Sequence, residues 1–137
     1  MSDEAHRVLE FAFPGPIRDQ LVALVLSGEK TATTSLLVEW EVDNEMLPKV
    51  GERRTVIDSA ENPVGVIEIL AVDIIRLGDV DSAVALDEGE GYASVAEWRT
   101  SHEQFWKDEI FARFPDQVTP LGDDTQVVVE RFRLVGK

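Results

Sequence analysis

The sequence contains no cysteine among its 137 residues. Disulfide bonds, thiolate metal ligands and a cysteine nucleophile are therefore excluded, and a cysteine-free chain suits the reducing cytosol. The two histidines, His6 and His102, are too few for a histidine-based zinc site. The acids between Asp79 and Glu90 lack the spacing of an EF-hand loop. We therefore expect no metal and no cofactor.

Long apolar runs are also missing. The longest, Leu21–Leu26, spans six residues, whereas a helix that crosses a bilayer needs about 18 or more apolar residues. The first residues, Met1–Glu4, include acids where a secretory signal peptide carries basic residues. The sequence predicts a cytoplasmic protein without membrane contact, and it does not indicate an oligomeric state.

Basic residues are scarce: 13 Lys and Arg stand against 27 Asp and Glu, which gives a net charge of −14. Proteins that bind duplex nucleic acid derive much of their affinity from basic groups that neutralise phosphates. We therefore expect no binding of double-stranded DNA. A pocket for one nucleoside, or a locally basic groove, stays compatible with this charge. Alternatively, the acidity serves only solubility.

The length of the chain predicts one domain over residues 1–137. Hydrophobic periodicity and turn residues predict, in order, helix Ile17–Ser27, extended segment Ala32–Trp40, strands Arg53–Asp58 and Val64–Ile75 as a hairpin, short helix Asp79–Asp87, helix Ser94–Phe111 and strand Thr125–Val135. This order is typical of the α+β class. We expect the few strands to form a small β-barrel with flanking helices, because closure removes exposed strand edges.

The segment Gly28–Thr33 has the sequence Gly-Glu-Lys-Thr-Ala-Thr and lies where the first helix gives way to an extended run. A glycine there can adopt positive φ, and backbone amides can converge with side chains on a cleft. Alone the pattern is weak, because a lysine after a helix is commonly a solvated charge near the C-terminal dipole. It is followed by the turn Leu47–Gly51, the loop Glu88–Gly91, and a helix bearing Ser94, Trp98 and His102.

This ordered set resembles the ASCH (activating-signal-cointegrator homology) domain, whose hallmark Gly-x-Lys-x-x-Thr is matched by Gly28, Lys30 and Thr33. The resemblance extends from about Phe11 to Val135. It implies a PUA-like fold, whose members bind RNA. Some bacterial ASCH proteins remove acyl groups from the exocyclic amine of cytidine with a Lys, a Thr and a Glu, and others have been assigned ribonuclease activity. A nucleoside or single-stranded RNA is therefore the implied partner.

The same resemblance implies site residues. The catalytic set would be Lys30, Thr33 and Glu88, with Glu90 as the rival of Glu88 because this loop differs in length and composition from that of the small amidohydrolases. The implied binding residues are Gly28, Glu90, Ser94, Trp98 and His102. Two other hypotheses stay open: a non-catalytic module that binds RNA, a modified base or a small ligand in the same cleft, and an interaction domain that uses its acidic face.

Elementary chemistry limits what Lys30 can do. A free lysine has a pKa of about 10.4, whereas a lysine base works best at about 7–8. Nearby carboxylates such as Glu29, Glu88 and Glu90 favour the ammonium instead. We therefore expect Lys30 to anchor a carbonyl, an oxyanion or a phosphate rather than to accept a proton.

The aromatic residues have a structural alternative to ligand binding. His102 lies four residues after Trp98 on one helix, a spacing that is as typical of core packing as of a pocket rim. Each of Trp40, Trp98 and Trp106 could stack on a base. We expect at least two of the three to pack in the core.

Overall fold

The computed structural model describes residues 7–137, with side chains from Val8 onward, so the acidic residues Met1–Glu4 and His6 lie outside the described part. In chain order the elements are β1 (Arg7–Leu9), α1 (Pro16–Ser27), β2 (Ala32–Leu36), α2 (Leu37–Val42), β3 (Arg53–Ile57), β4 (Pro63–Arg76), α3 (Ser82–Asp87), α4 (Val95–Phe105), a π-helical turn (Trp106–Ile110), α5 (Phe111–Arg113) and β5 (Gln126–Gly136). Single 3₁₀ turns occupy Leu77–Asp79 and Pro115–Gln117. The α+β class is confirmed.

The five strands form one sheet in the order β1-β3-β4-β5-β2. β1 is parallel to β3, and the other neighbouring pairs are antiparallel, including the expected β3–β4 hairpin. Within residues 7–137 the sheet is open, so it does not close into the barrel that we expected. The reason is visible at the β2 edge, where the strand has five residues before the chain turns directly into α2.

The helix ends follow the capping signals in the sequence. Gly28 ends α1 with φ 86° and donates its N–H to the carbonyl of Val25 at 3.1 Å. Asp81 is the N-cap of α3, and its carboxylate accepts the N–H of Val84 at 3.2 Å. Ser94 caps α4 through the N–H of Glu97 at 3.1 Å.

Two element boundaries differ from expectation. The extended run stops at Leu36, because the Glu39 carboxylate accepts the Leu36 N–H at 2.7 Å and starts α2 there. The long helix Ser94–Phe111 is interrupted by the π-helical turn, which directs both Trp106 and Ile110 into the core at 1% and 6% exposure.

The sheet is covered on both faces. On one face, Val22 and Val25 of α1 form a hydrophobic cluster with Phe11 and with Phe132 of β5. The cluster of the C-terminal helices packs on the other, around Trp98, Trp106 and the odd-numbered valines of β5. Trp98 and Trp106 are 0% and 1% exposed, which confirms that two of the three tryptophans pack in the core. No helix within residues 7–137 combines the length and apolarity required to cross a membrane.

Candidate functional site

Lys30 lies at the centre of a buried ionic cluster at the start of β2. Its side chain is 1% exposed. Its Nζ donates to the carbonyl of Ala32 at 2.8 Å, to Glu90 Oε2 at 3.1 Å and to Glu88 Oε1 at 3.4 Å. An ammonium has three N–H donors, so each has an oxygen acceptor here. The ammonium therefore holds the Glu88 loop against the start of β2, and its expected role as an anchor for a ligand stays a prediction.

Glu88 is the acceptor that joins the cluster together. Its Oε2 accepts from Thr34 Oγ1 at 2.7 Å and from Trp98 Nε1 at 3.0 Å, while Oε1 faces Lys30 and lies 3.0 Å from His102 Nε2. Burial alone would raise the pKa of this carboxyl. The charge of Lys30, the hydrogen bond and charge of His102 and the hydroxyl of Thr34 outweigh burial and lower the pKa to about 2. Glu88 is therefore an ionised structural anchor at neutral pH.

His102 fills the space between the helix and the loop. Its ring stacks on Trp98 with centroids 4.2 Å apart and an interplanar angle of 23°. Nδ1 lies 2.9 Å from the Trp98 carbonyl and Nε2 lies 3.0 Å from Glu88 Oε1, so both ring nitrogens face oxygen atoms. His102 thus contributes both to core packing and to the ionic cluster.

Gly89 allows the loop to approach β2. It has φ 72°, and a Cβ built there would lie 2.3 Å from the backbone oxygen of Glu29. Two residues after Glu29, just before β2 begins, the N–H of Thr31 donates to the carbonyl of Asp87 at 2.8 Å. The glycine therefore lets two backbones meet where a side chain would hold them apart, and this approach brings Glu88 to Lys30.

The cluster forms one wall of an open cleft of about 1390 Å³. Glu90 lies at this wall with its side chain 21% exposed, and Tyr92 donates its hydroxyl to Glu90 Oε1 at 3.2 Å. Burial raises the pKa of Tyr92 to about 12, and the charge of Glu90 adds to the effect, so Tyr92 can donate but not act as a base at neutral pH. Thr33 also lines the cleft.

The two adjacent threonines of β2 have different surroundings. Thr34 is 8% exposed and hydrogen-bonds Glu88, whereas Thr33 is half-buried, and no hydrogen bond from another described residue reaches its hydroxyl. Alternation along a strand explains the difference, because successive side chains point to opposite faces. The buried triad is thus Lys30, Glu88 and Thr34, and Thr33 keeps a free hydroxyl at the cleft.

The other sequence-predicted residues divide into two groups. Trp98 and His102 belong to the cluster, with Trp98 fully buried beneath Glu88 and His102 at the wall of the cleft. Gly28 and Ser94 instead cap α1 and α4, and neither lines the cleft.

The sequence profile of the ASCH domain matches residues 10–136. The chain belongs to the ASCH domain family. The predicted resemblance is thereby confirmed over nearly the whole chain.

Solved structures share the fold of this ASCH domain. A protein of Enterococcus faecalis is 27% identical with a TM-score of 0.83, over 95% of this chain and 76% of its own. An ASCH domain of Lactobacillus crispatus is 26% identical with a TM-score of 0.83, over 97% of this chain and 81% of its own. A mutant ASCH protein of Zymomonas mobilis, 15% identical with a TM-score of 0.51 over 83% of this chain and 63% of its own, shares the fold alone. Comparison with curated protein sequences gives no match.

A metal ion has poor access to the cluster of this ASCH domain. Glu88, Glu90 and His102 offer three ligand atoms within 4.8 Å of one another, the one such group found in residues 7–137. Lys30 Nζ lies 3.4 Å from the first carboxylate and 3.1 Å from the second. A cation would have to displace this ammonium, whose charge already offsets one of the two carboxylates.

One part of the cleft is formed by α2 and β3, where Glu39, Trp40 and Arg54 line it. Trp40 is one of the three tryptophans expected to be able to stack on a base, whereas Glu39 carried no signal in the sequence. Burial is the main cause that raises the pKa of Glu39 from 4.5 to about 7; the Leu36 N–H lowers it, and the charges of Asp43 and Glu130 raise it. A carboxyl that is partly protonated near neutral pH is unusual on a protein surface. Tertiary burial creates this property, so the sequence could not reveal it.

We expect Glu39→Gln to raise the free energy of unfolding at pH 8 by as much as about 3 kcal/mol. This figure is the free-energy equivalent of the pKa shift of Glu39. The folded-state pKa of Glu39 lies above its unfolded value, so ionising this carboxyl lowers the stability of the wild type. This loss of stability is absent below about pH 4.5, grows as the pH rises, and is complete above about pH 7. The measurement is urea unfolding of both proteins at pH 4.5 and pH 8. Glu41→Gln, an exposed position of the same helix, is the control and should change stability little. An equal gain for both variants would show that net charge, not burial, is responsible.

Proposed function

We propose that this ASCH domain binds a nucleoside, or the single-stranded end of an RNA, in the cleft beside Lys30. The observation that carries the proposal is a fixed, buried ammonium at the wall of a cleft of about 1390 Å³. Ligand pockets typically measure about 300–1,000 Å³, so a nucleoside fits with room to spare. Thr33, Glu90 and Tyr92 supply donors and acceptors for the polar edge of a base or for ribose hydroxyls.

The charge of the cleft favours a small or single-stranded ligand. Among its lining residues, Lys30, Arg54 and Arg113 are outnumbered by acids, and the whole chain carries a net charge of −14. A duplex would bring many phosphates against this surface, whereas a nucleoside brings none. Appreciable, salt-insensitive binding of duplex DNA would contradict the proposal.

Hydrolysis is the second candidate function. It is favoured by the free hydroxyl of Thr33 at the cleft that also contains Lys30 and Glu88. In such a reaction the Lys30 ammonium would stabilise the oxyanion that forms on the carbonyl of an acyl group. With a pKa of about 2, Glu88 is a weak base. Glu90, whose side chain is 21% exposed, is the better-placed carboxylate to handle a proton.

The neighbouring threonines provide a matched test of this chemistry. Purified protein is screened by mass spectrometry against acylated cytidines, related nucleosides and short single-stranded RNAs, beside Thr33→Ala and Thr34→Ala. If Thr33 is the nucleophile, we expect Thr33→Ala to lose turnover by a factor of about 100 or more with its melting temperature unchanged. Thr34→Ala should lower the melting temperature, because it removes the hydrogen bond to Glu88.

The outcomes separate the two functions. Turnover by the wild type names a hydrolase and its substrate class. A panel that gives no turnover but raises the melting temperature identifies a binding module. Neither turnover nor binding by any compound in the panel would contradict the nucleoside-cleft proposal itself.

A further inference from the structure

Arg54 is a buried cation whose hydrogen bonds are incomplete. It is 3% exposed, and its Nη2 has no hydrogen-bond partner among the residues that the structure describes. Buried polar atoms in native proteins are almost always paired, and an arginine offers five donors in a planar fork. Arg54 also lines the cleft, but Nη2 itself is shielded from water, so a bound molecule reaches the unused donor only after a small shift of the atoms that cover it.

The guanidinium is held in a defined position. Its Nε donates to Glu52 Oε2 at 2.8 Å, and its central carbon lies 5.6 Å from the centre of the Trp40 ring. Trp40 is held in turn by a hydrogen bond from Nε1 to Ser35 Oγ at 2.9 Å. A fixed fork beside an aromatic ring is the arrangement with which proteins recognise phosphate next to a flat group.

Ser35 connects this part of the cleft to the part near Lys30. It points to the same face of β2 as Thr33, two residues earlier, and the two Cα atoms are therefore about 7 Å apart along the strand. Ser35, Thr33 and Lys30 all line the cleft. A single molecule can therefore extend from the ammonium to the guanidinium.

Acidic neighbours are the main objection to an anion at this place, because Glu39, Asp43, Glu45 and Glu130 line the same cleft and Glu52 already pairs with Arg54. The objection is weaker for Glu39, since its raised pKa of about 7 leaves much of this carboxyl neutral at physiological pH. A neutral carboxyl can also donate a hydrogen bond to a phosphate oxygen.

We infer that Arg54 and Trp40 form a phosphate subsite of the cleft, so that the ligand is a phosphate-bearing nucleotide whose base and sugar extend toward Lys30. The inference rests on the proposed function and specifies the substrate class of that site. The phosphate can belong to a free nucleoside monophosphate or to the backbone of a short single strand, because both present the same anionic oxygens to the guanidinium.

The test compares ligands that differ only in phosphate. Calorimetric titrations use cytidine, cytidine monophosphate, a cytidine trinucleotide and inorganic phosphate, with wild type, Arg54→Gln and Arg53→Gln. Arg53 is the matched control, because it lies next to Arg54 on β3, carries the same charge, and has its side chain 51% exposed. We expect the wild type and Arg53→Gln to bind the monophosphate about tenfold or more tightly than cytidine. In Arg54→Gln this ratio should fall to about one, with cytidine affinity kept.

Each outcome decides the inference. Equal affinity of the wild type for cytidine and its monophosphate overturns it without any variant, as does an Arg54→Gln protein that keeps the full ratio. If no cytidine compound binds but inorganic phosphate binds to the wild type and not to Arg54→Gln, the subsite stands and the nucleoside proposal fails. Tighter binding of the trinucleotide than of the monophosphate assigns the phosphate to a strand, and the reverse assigns it to a free nucleotide.

If Arg54→Gln does not fold, Arg54→Lys is the second variant. It keeps the positive charge without the planar fork of the guanidinium, and it should lower the ratio of monophosphate to cytidine affinity severalfold.

Discussion

Replacing Lys30 by methionine is expected to lower the free energy of unfolding by about 3–5 kcal/mol, the usual cost of removing one partner from a buried ion pair. Methionine preserves most of the side-chain volume but leaves Glu88 and Glu90 without their ammonium. Glu88 is 1% exposed, so water cannot replace the lost partner. Guanidinium unfolding measures the loss, which corresponds to a fall in melting temperature of roughly 10–20 °C.

A matched control distinguishes the buried ion pair of Lys30 with Glu88 from the more accessible pair of Lys30 with Glu90. Glu90→Gln removes a carboxylate that contacts the same ammonium at 3.1 Å, but its side chain is 21% exposed. We expect a cost of about 1 kcal/mol or less, as for other solvent-accessible pairs. Equal costs for Lys30→Met and Glu90→Gln would contradict the structural role assigned to Glu88.

The effect of Lys30→Met also has a characteristic pH dependence. The folded-state pKa of Glu88, about 2, lies below its ordinary value of 4.5. The stability that this carboxylate contributes is therefore complete above about pH 4.5 and is lost as the pH falls toward 2. The difference between wild type and Lys30→Met should shrink over the same range. Loss of turnover in a Lys30 variant can consequently be assigned to chemistry only after its fold has been measured.

The substitution Gly89→Ala is expected to destabilise the domain by about 3–5 kcal/mol. Part of the cost is the positive φ of 72°, which an alanine tolerates poorly. The larger part is the contact of 2.3 Å between the new Cβ and the backbone oxygen of Glu29, which neither side can relieve by a rotamer change. Because this approach brings Glu88 to Lys30, ligand binding should be lost together with stability. Thermal unfolding and the ligand titrations measure both.

Gly91 provides the control for this substitution. It has φ 84° but no atom within 4 Å of the position that a Cβ would occupy. Gly91→Ala therefore carries the conformational cost alone, about 1–2 kcal/mol. If Gly89→Ala cost no more than Gly91→Ala, the close approach of the loop to β2 would not be a requirement of the fold.

Local signals in the sequence predicted most of the fold. Hydrophobic periodicity and capping residues gave α1, the β3–β4 hairpin and the start of α4 within a few residues. The interruption of the extended run at Leu36 was missed, because it depends on a side chain bonded back to the backbone. The open sheet was missed as well, since strand lengths decide whether edges can meet, and β2 gives way to α2 after five residues.

The candidate site was predictable only in part. The motifs around Lys30 and Glu88 could be found, and the structure places these residues in contact although 58 positions separate them. The sequence could not show whether Thr33 or Thr34 faces Glu88. Alternation along β2 places the two side chains on opposite faces of the strand, but it does not say which face meets the loop. The unused donor of Arg54 is likewise a tertiary property, since one of two adjacent arginines had to point inward and the sequence does not say which.

The order of the strands has a consequence for how the protein is made. β2, which begins just after Lys30, is an edge strand, and within residues 7–137 the one strand that pairs with it is β5. A ribosome therefore completes β2 and the Glu88 loop well before it releases the strand against which β2 must align. A nascent chain that still lacks the eleven residues of β5 has no strand against which β2, and with it the segment of Lys30, can align. The pocket accordingly cannot be completed before β5 has been synthesised, and products terminated before β5 would lack it.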